Sequence, residues 1–159
     1  MYKPTIDEIK KRLFDYSAIR VELNILEERL ERLKSEETLP PMRPGNGSKP
    51  TGGTGDRQER AILRRMEYEE CHGPEMEAKR KELQYIDNSI KAVADPMERM
   101  VLRIRYTESE TAKPTPWRDV AIAIYRDDSD AKMLATYRLL DKALKSLQKL
   151  MLWEKEGEE

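Results

Sequence analysis

The sequence predicts an all-α protein in which two long coiled-coil-like helices precede a compact C-terminal unit of three helices. Three observations carry that expectation. Apolar residues recur at steps of three and four along most of the chain, which is the period of one helix face. Charged residues are as frequent as hydrophobic ones, 38% each, which suits long helices with one solvated side and argues against a single thick core. The stretch TLPPMRPGNGSKPTGGTGD at 38–56 interrupts the helical pattern with prolines and glycines that propagate neither helix nor strand. The expected divisions are a coiled-coil-like helix over 1–37, a flexible linker over 38–56, a second long helix over 57–94, a three-helix unit over 95–153 and an acidic tail over 154–159. No β-sheet is expected.

The first helix opens on Thr5, with Glu8 three residues on, the pattern of a reciprocal capping box. Ile9, Leu13, Tyr16, Ile19, Leu23, Leu26, Leu30 and Leu33 follow at helical steps, and the last four keep a coiled-coil spacing with Glu27, Glu28, Arg29, Glu31 and Arg32 between them. After the linker, Asp56 and Glu59 mark another start, and Ile62, Leu63 and Met66 lead to Gly73-Pro74, where a kink or break is expected. Met76, Leu83, Ile86, Ile90 and Val93 resume the stripe. Its partner is either the first helix of the same chain, folded back across the linker, or a second subunit, which makes the N-terminal helices candidates for homo-oligomer formation.

The third part opens at Asp95-Pro96, a cap followed by a proline at the first helical position, and Met97, Val101 and Ile104 share one face. Thr115-Pro116 repeats the signal before Trp117, Val120, Ala121 and Ile124. The run Arg126-Asp127-Asp128-Ser129-Asp130 reads as a turn, and the last helix as residues 131–153. On that helix Met133, Tyr137, Leu140, Leu144, Leu147 and Met151 form an apolar side, while Ala135, Arg138, Lys142, Lys145 and Lys149 form a second side that is mostly basic. A helix-turn-helix reader needs one buried side and one exposed side that approaches phosphates and base edges. A solvated lysine face on an ordinary helix would give the same stripe.

Several function classes find no support. Net charge is −1, so a DNA footprint must come from local clustering rather than from overall charge. Gly47-Ser48-Lys49 lacks the spacing of a phosphate-binding loop. The acidic turn lacks the spaced ligands of a calcium loop, and adjacent Cys71 and His72 have no second pair to complete a metal site. One histidine, with no serine or cysteine set beside a base, supports no acid–base or nucleophilic catalysis, so no enzyme and no cofactor are expected. A single cysteine, an N-terminus without an apolar leader and the lack of a long apolar run lead to the expectation of a cytoplasmic, non-membrane protein.

Three segments, in order, resemble a known family of domains. Asp95-Pro96-Met97-Glu98-Arg99-Met100-Val101-Leu102-Arg103-Ile104-Arg105-Tyr106 resembles the first helix of sigma factor region four. Trp117-Arg118-Asp119-Val120-Ala121 resembles the opening of its second helix, and the run from Tyr137 to Leu147 resembles its recognition helix and tail. The whole layout is similar to the late-gene transcriptional activators of the RinA and ArpU type, from phages of Gram-positive bacteria. That resemblance implies sequence-specific binding of double-stranded DNA at a phage promoter, with recruitment of host RNA polymerase in the host cytoplasm. Against the compact sigma pattern, the step from Trp117 to Ala143 is longer, with the extra residues near the acidic turn, and the stretch from Glu108 to Pro116 is long for a helix-turn-helix connection.

On that reading Lys132, Ala135, Thr136 and Arg138 lie near base edges, and Lys142, Lys145 and Arg118 lie against phosphates. Two other functions fit the same layout. One is a small terminase-like DNA-packaging component, although the usual order of DNA-binding and assembly parts is then reversed. The other is an adaptor that uses a region-four-like fold to bind protein, since fold does not fix function.

Overall fold

The computed structural model describes residues 1–38 and 53–154. Most of the expected linker, 39–52, and residues 155–159 of the expected acidic tail lie outside the described residues. The described chain is all-α: α1 (Ile6–Thr38), α2 (Gly53–Lys91), α3 (Pro96–Leu102) continued by a π-helical turn (Arg103–Thr107), α4 (Trp117–Tyr125) and α5 (Asp130–Leu150). Among the described residues there is no β-strand, only a single antiparallel bridge between Tyr2 and Trp153. No helix among them is long and apolar enough to cross a membrane.

Local chemistry explains most of the boundaries. Thr5 Oγ1 accepts from the Glu8 N–H at 3.3 Å while the Glu8 carboxylate accepts from the Thr5 N–H at 3.4 Å, the reciprocal cap expected of α1. The Asp95 carboxylate accepts from the Met97 N–H at 2.8 Å and caps α3, with Pro96 in its first turn. Thr115 behaves otherwise than expected. Its N–H and hydroxyl turn back to the carbonyls of Arg105 (2.8 Å) and Ile104 (2.7 Å), and α4 starts behind Pro116 without a side-chain cap. α2 begins inside the expected linker and passes through Gly73-Pro74 without the break expected there. The proline deletes one internal bond from a helix 39 residues long, and the turns on either side keep theirs.

The chain divides into two compact units, one made of residues 22–80 and the other of residues 1–21 with 81–159. In the first, α1 and α2 run antiparallel within one chain. Glu22 pairs with Lys79 at 3.1 Å, Glu27 with Arg80 at 3.0 Å and Glu37 with Arg65 at 2.5 Å, and the Tyr68 hydroxyl donates to the Leu26 carbonyl at 3.1 Å. Its buried apolar side chains are Leu23, Ala61 and Met76, while Leu26, Leu30 and Leu33 are half-buried. The ion pairs set register more than they stabilise, because exposed pairs contribute at most about 1 kcal/mol each.

The second unit extends past residues 95–153. Its core joins Ile9, Leu13 and Tyr16 of α1 and Ile86, Ile90 and Val93 at the end of α2 to Val101, Leu102, Tyr106, Val120, Leu140, Ala143, Leu144, Leu147 and Met151. Polar links reinforce the join. Arg12 makes a two-pronged pair with Glu82 (2.5 and 2.7 Å) and lies over the rings of Tyr85 and Trp153. Burial, with the hydrogen bond to Asp87 (2.9 Å), pushes the Tyr16 phenol up and keeps it a donor. Arg99 donates to the Val93 carbonyl beyond the end of α2 (2.9 Å), and Gln148 donates to the Pro4 carbonyl (3.1 Å).

Three carbonyls at the end of the α3–π segment face α1. The Glu108 N–H reaches back five residues to the Arg103 carbonyl (2.8 Å), which widens the last turn. Ser17, fully buried, donates to the Tyr106 carbonyl at 3.0 Å, and Arg20 donates to the carbonyls of Thr107 (2.9 Å) and Ser109. Removing the Ser17 hydroxyl strands a buried acceptor, so Ser17→Ala is expected to destabilise the protein by about 1–3 kcal/mol and lower Tm by several degrees. Residues 95–153 excised alone, without Ile9, Leu13, Ile86 and Ile90 over their core, are expected to stay helical by far-UV circular dichroism. They should lose the sharp cooperative melt of the whole chain.

Candidate nucleic-acid interface

α4, a four-residue turn and α5 make a helix-turn-helix. α4 ends on Arg126, whose left-handed backbone (φ 58°) returns its N–H to the Ile122 carbonyl at 2.8 Å. The acidic turn then works internally. The Asp127 carboxylate accepts from the Ser129 N–H (3.1 Å) and the Ser129 hydroxyl (2.9 Å). Asp128 Oδ2 accepts from Arg118 Nε at 2.6 Å, which ties the turn to the start of α4. Ser129 holds the N-cap position of α5 with its hydroxyl engaged by Asp127 rather than by the helix.

The buried side of α5 is Thr136, Leu140, Ala143, Leu144 and Leu147, with Met151 just beyond its end. This arc is rotated from the expected one, and two residues change role. Tyr137, expected in the core, is 40% exposed and packs edge-on against Trp117, with ring centroids 4.7 Å apart. The Arg105 guanidinium covers the Trp117 ring at 4.3 Å. Thr136, expected near base edges, is 0% exposed and its hydroxyl donates to the Lys132 carbonyl at 2.8 Å. Ala143 and Thr136 are the small side chains on this arc, and the close seat they allow turns the helix toward them. Thr136 is therefore corrected from a contact residue to a packing residue. α5 also stops at Leu150 rather than at Trp153, because Met151 turns extended and Trp153 exchanges backbone bonds with Tyr2 at 2.8 and 2.9 Å.

Of the other expected contact residues, Lys132, Arg138, Lys142 and Lys145 are exposed and Ala135 is half-buried. Opposite the buried arc, helical spacing brings Leu134, Arg138, Lys142, Lys145 and Lys149 to one side. Among the described residues none of the four cations on this side has an ion-pair partner. Arg118, 75% exposed at its side chain, is held by Asp128, and the Lys132 ammonium lies 5.1 Å from the centre of the Tyr125 ring. Asp141 places one carboxylate among the cations. Leu134 escaped sequence reasoning because it belongs to neither the apolar nor the basic stripe. The visible signal was its place one turn before Arg138.

Elsewhere the chemistry is local. His72 packs on Tyr68, ring centroids 4.5 Å apart, with Nδ1 3.5 Å from Glu75, and Cys71 is exposed. The described residues hold no group of three or more His, Cys, Asp or Glu side chains that could bind a metal ion. Compared with protein-family models, with curated proteins and with solved structures, the chain has no significant match.

The two hydrogen bonds from Ser129 hold the Asp127 carboxyl below its ordinary range. A depressed carboxylate contributes order that is fully present above the ordinary aspartate range and is lost as pH falls through the lowered value. The Ser129 amide is accordingly expected to lose protection from hydrogen exchange on acidification. In Asp127→Asn the protection of that amide, taken relative to its unstructured exchange rate at each pH, should change little below about pH 5, an acidic window set by the ordinary aspartate value of about 3.9.

Proposed function

We propose that this chain is a sequence-specific DNA-binding regulator of transcription that lays α5 in the major groove. The observation that carries the reading is the row of cations without an ion-pair partner among the described residues, Arg138, Lys142, Lys145 and Lys149, on the side of α5 opposite a core shared with α3 and α4. Cations already neutralised by carboxylates gain little from phosphate, whereas unpaired ones release counterions from the duplex. The N-terminal half of such a helix meets base edges and the rest follows the backbone, so Arg138 reads bases and Lys142 and Lys145 hold phosphates. Arg118 must exchange Asp128 for a phosphate, which makes it the weaker contributor.

The resemblance of residues 95–150 to sigma region four, and of the layout to RinA- and ArpU-type regulators, supports an activator of phage late genes acting with host RNA polymerase in the host cytoplasm. The hairpin of residues 22–80, whose Ile25, Leu63 and Met66 are exposed, is the element assigned to self-association or polymerase contact. No catalysis is assigned. A protein-binding adaptor is the second reading, favoured by exposed Ile122, Leu134 and Tyr137 on the helix-turn-helix.

Titration of duplex DNA at several salt concentrations separates the two. Binding is expected to weaken steeply with salt, and Lys142→Ala should lower the slope by about one unit while weakening all sequences alike. Arg138→Ala should cost about 1–3 kcal/mol on a selected site and relax preference at one position. Thr136→Val should leave binding unchanged. Unchanged affinity of a folded Arg138→Glu/Lys142→Glu protein for its selected duplex would move the assignment to the adaptor.

A further inference from the structure

Leu134 has no role in the fold. It is 48% exposed on the first half of α5, one turn before Arg138, and it belongs to no core cluster among the described residues. With Thr136 buried and Ala135 half-buried, the side chains of this half that project from the side opposite the core are Ala131, Leu134 and Arg138. Leu134 and Arg138 are four residues apart and so sit one above the other. A leucine offers no hydrogen bond. In the major groove the one apolar feature a base pair presents is the methyl group at C5 of a pyrimidine. We propose that Leu134 is a specificity-determining residue that reads the C5 methyl of a pyrimidine beside the base read by Arg138. This inference rests on the placement of α5 in the major groove.

The methyl has two sources, thymine and 5-methylcytosine, and both present it at the same place in the groove. Arg138 supplies polar readout and Leu134 the apolar complement, so the pair discriminates two neighbouring positions with different chemistry. An apolar reader is nearly indifferent to salt, whereas the flanking lysines are not. Raising salt should therefore weaken binding overall while leaving the preference at this one position in place.

The test uses the full chain. Duplexes selected from a random library are remade with each thymine replaced in turn by deoxyuridine, which removes only the methyl, and affinity is read by fluorescence anisotropy. One thymine is expected at which the replacement weakens binding about fourfold, the worth of one methyl contact, for the wild-type chain and not at all for Leu134→Ala. At that position 5-methylcytosine should bind more tightly than cytosine. If the two bind equally while thymine exceeds uracil, the source is thymine alone and the inference stands. Equal binding of every uracil-substituted duplex by the wild-type chain overturns it, and needs no variant to fold. So does a Leu134→Ala chain of unchanged Tm that keeps its sensitivity to uracil. Salt-dependent binding with no sequence selected would overturn the inference and leave phosphate binding by α5 intact. No binding to any duplex would overturn both.

Discussion

The helix-turn-helix depends on three carbonyl oxygens. Where α3 widens into its π turn, the carbonyls of Tyr106, Thr107 and Ser109 have left the helical ladder, the first of them in a buried bond and the other two in part-buried ones. Ser17 and Arg20 of α1 supply the missing donors. An unmet buried carbonyl costs more than a made hydrogen bond gains, so the start of the chain is bound to the C-terminal helices by necessity as well as by apolar contact. The same junction fixes the loop that follows. Thr115 returns to Ile104 and Arg105, and Arg105 in turn covers Trp117 at the head of α4. The orientation of α4, and with it the seat of α5, follows from how the π turn is closed.

Much of this could be read from the sequence. The capping pairs at Thr5–Glu8 and Asp95–Met97 stand where the residue types place them, since a cap is decided within four residues. The long helices and the apolar stripe of α5 also follow from local periodicity. What escaped was decided by distant partners. Steps of three and four define an apolar arc only to within one neighbouring residue, so Tyr137 and Thr136 exchange roles once Trp117 offers a ring and the core demands a small side chain. Ser17 and Arg20 look like ordinary solvated positions in α1, because nothing near them in sequence announces carbonyls some ninety residues away. Thr115 had two uses of equal local merit, and the π turn took it.

The charges of the helix-turn-helix fall into two populations. The acidic turn, with three carboxylates in four residues, spends Asp128 on Arg118 and Asp127 on Ser129. Among the described residues, the outward row of α5 keeps its cations unpaired. A protein with net charge −1 can in this way hold a local positive surface without being basic overall, because the carboxylates that balance it are committed elsewhere, many of them in the α1–α2 pairs of residues 22–80.

The bridge between Tyr2 and Trp153 and the bond from Gln148 to Pro4 join residues near opposite ends of the chain. A chain that emerges from the ribosome N-terminus first must therefore carry Ile9 and Leu13 uncovered until α5 has been made. The α1–α2 hairpin of residues 22–80 draws on contacts made much earlier in synthesis. Contacts of such long sequence separation slow the final step of folding, because loop closure precedes any gain from them. The unit that contains α5 thus matures after the hairpin, and a nascent chain presents residues 22–80 folded before the C-terminal helices are seated.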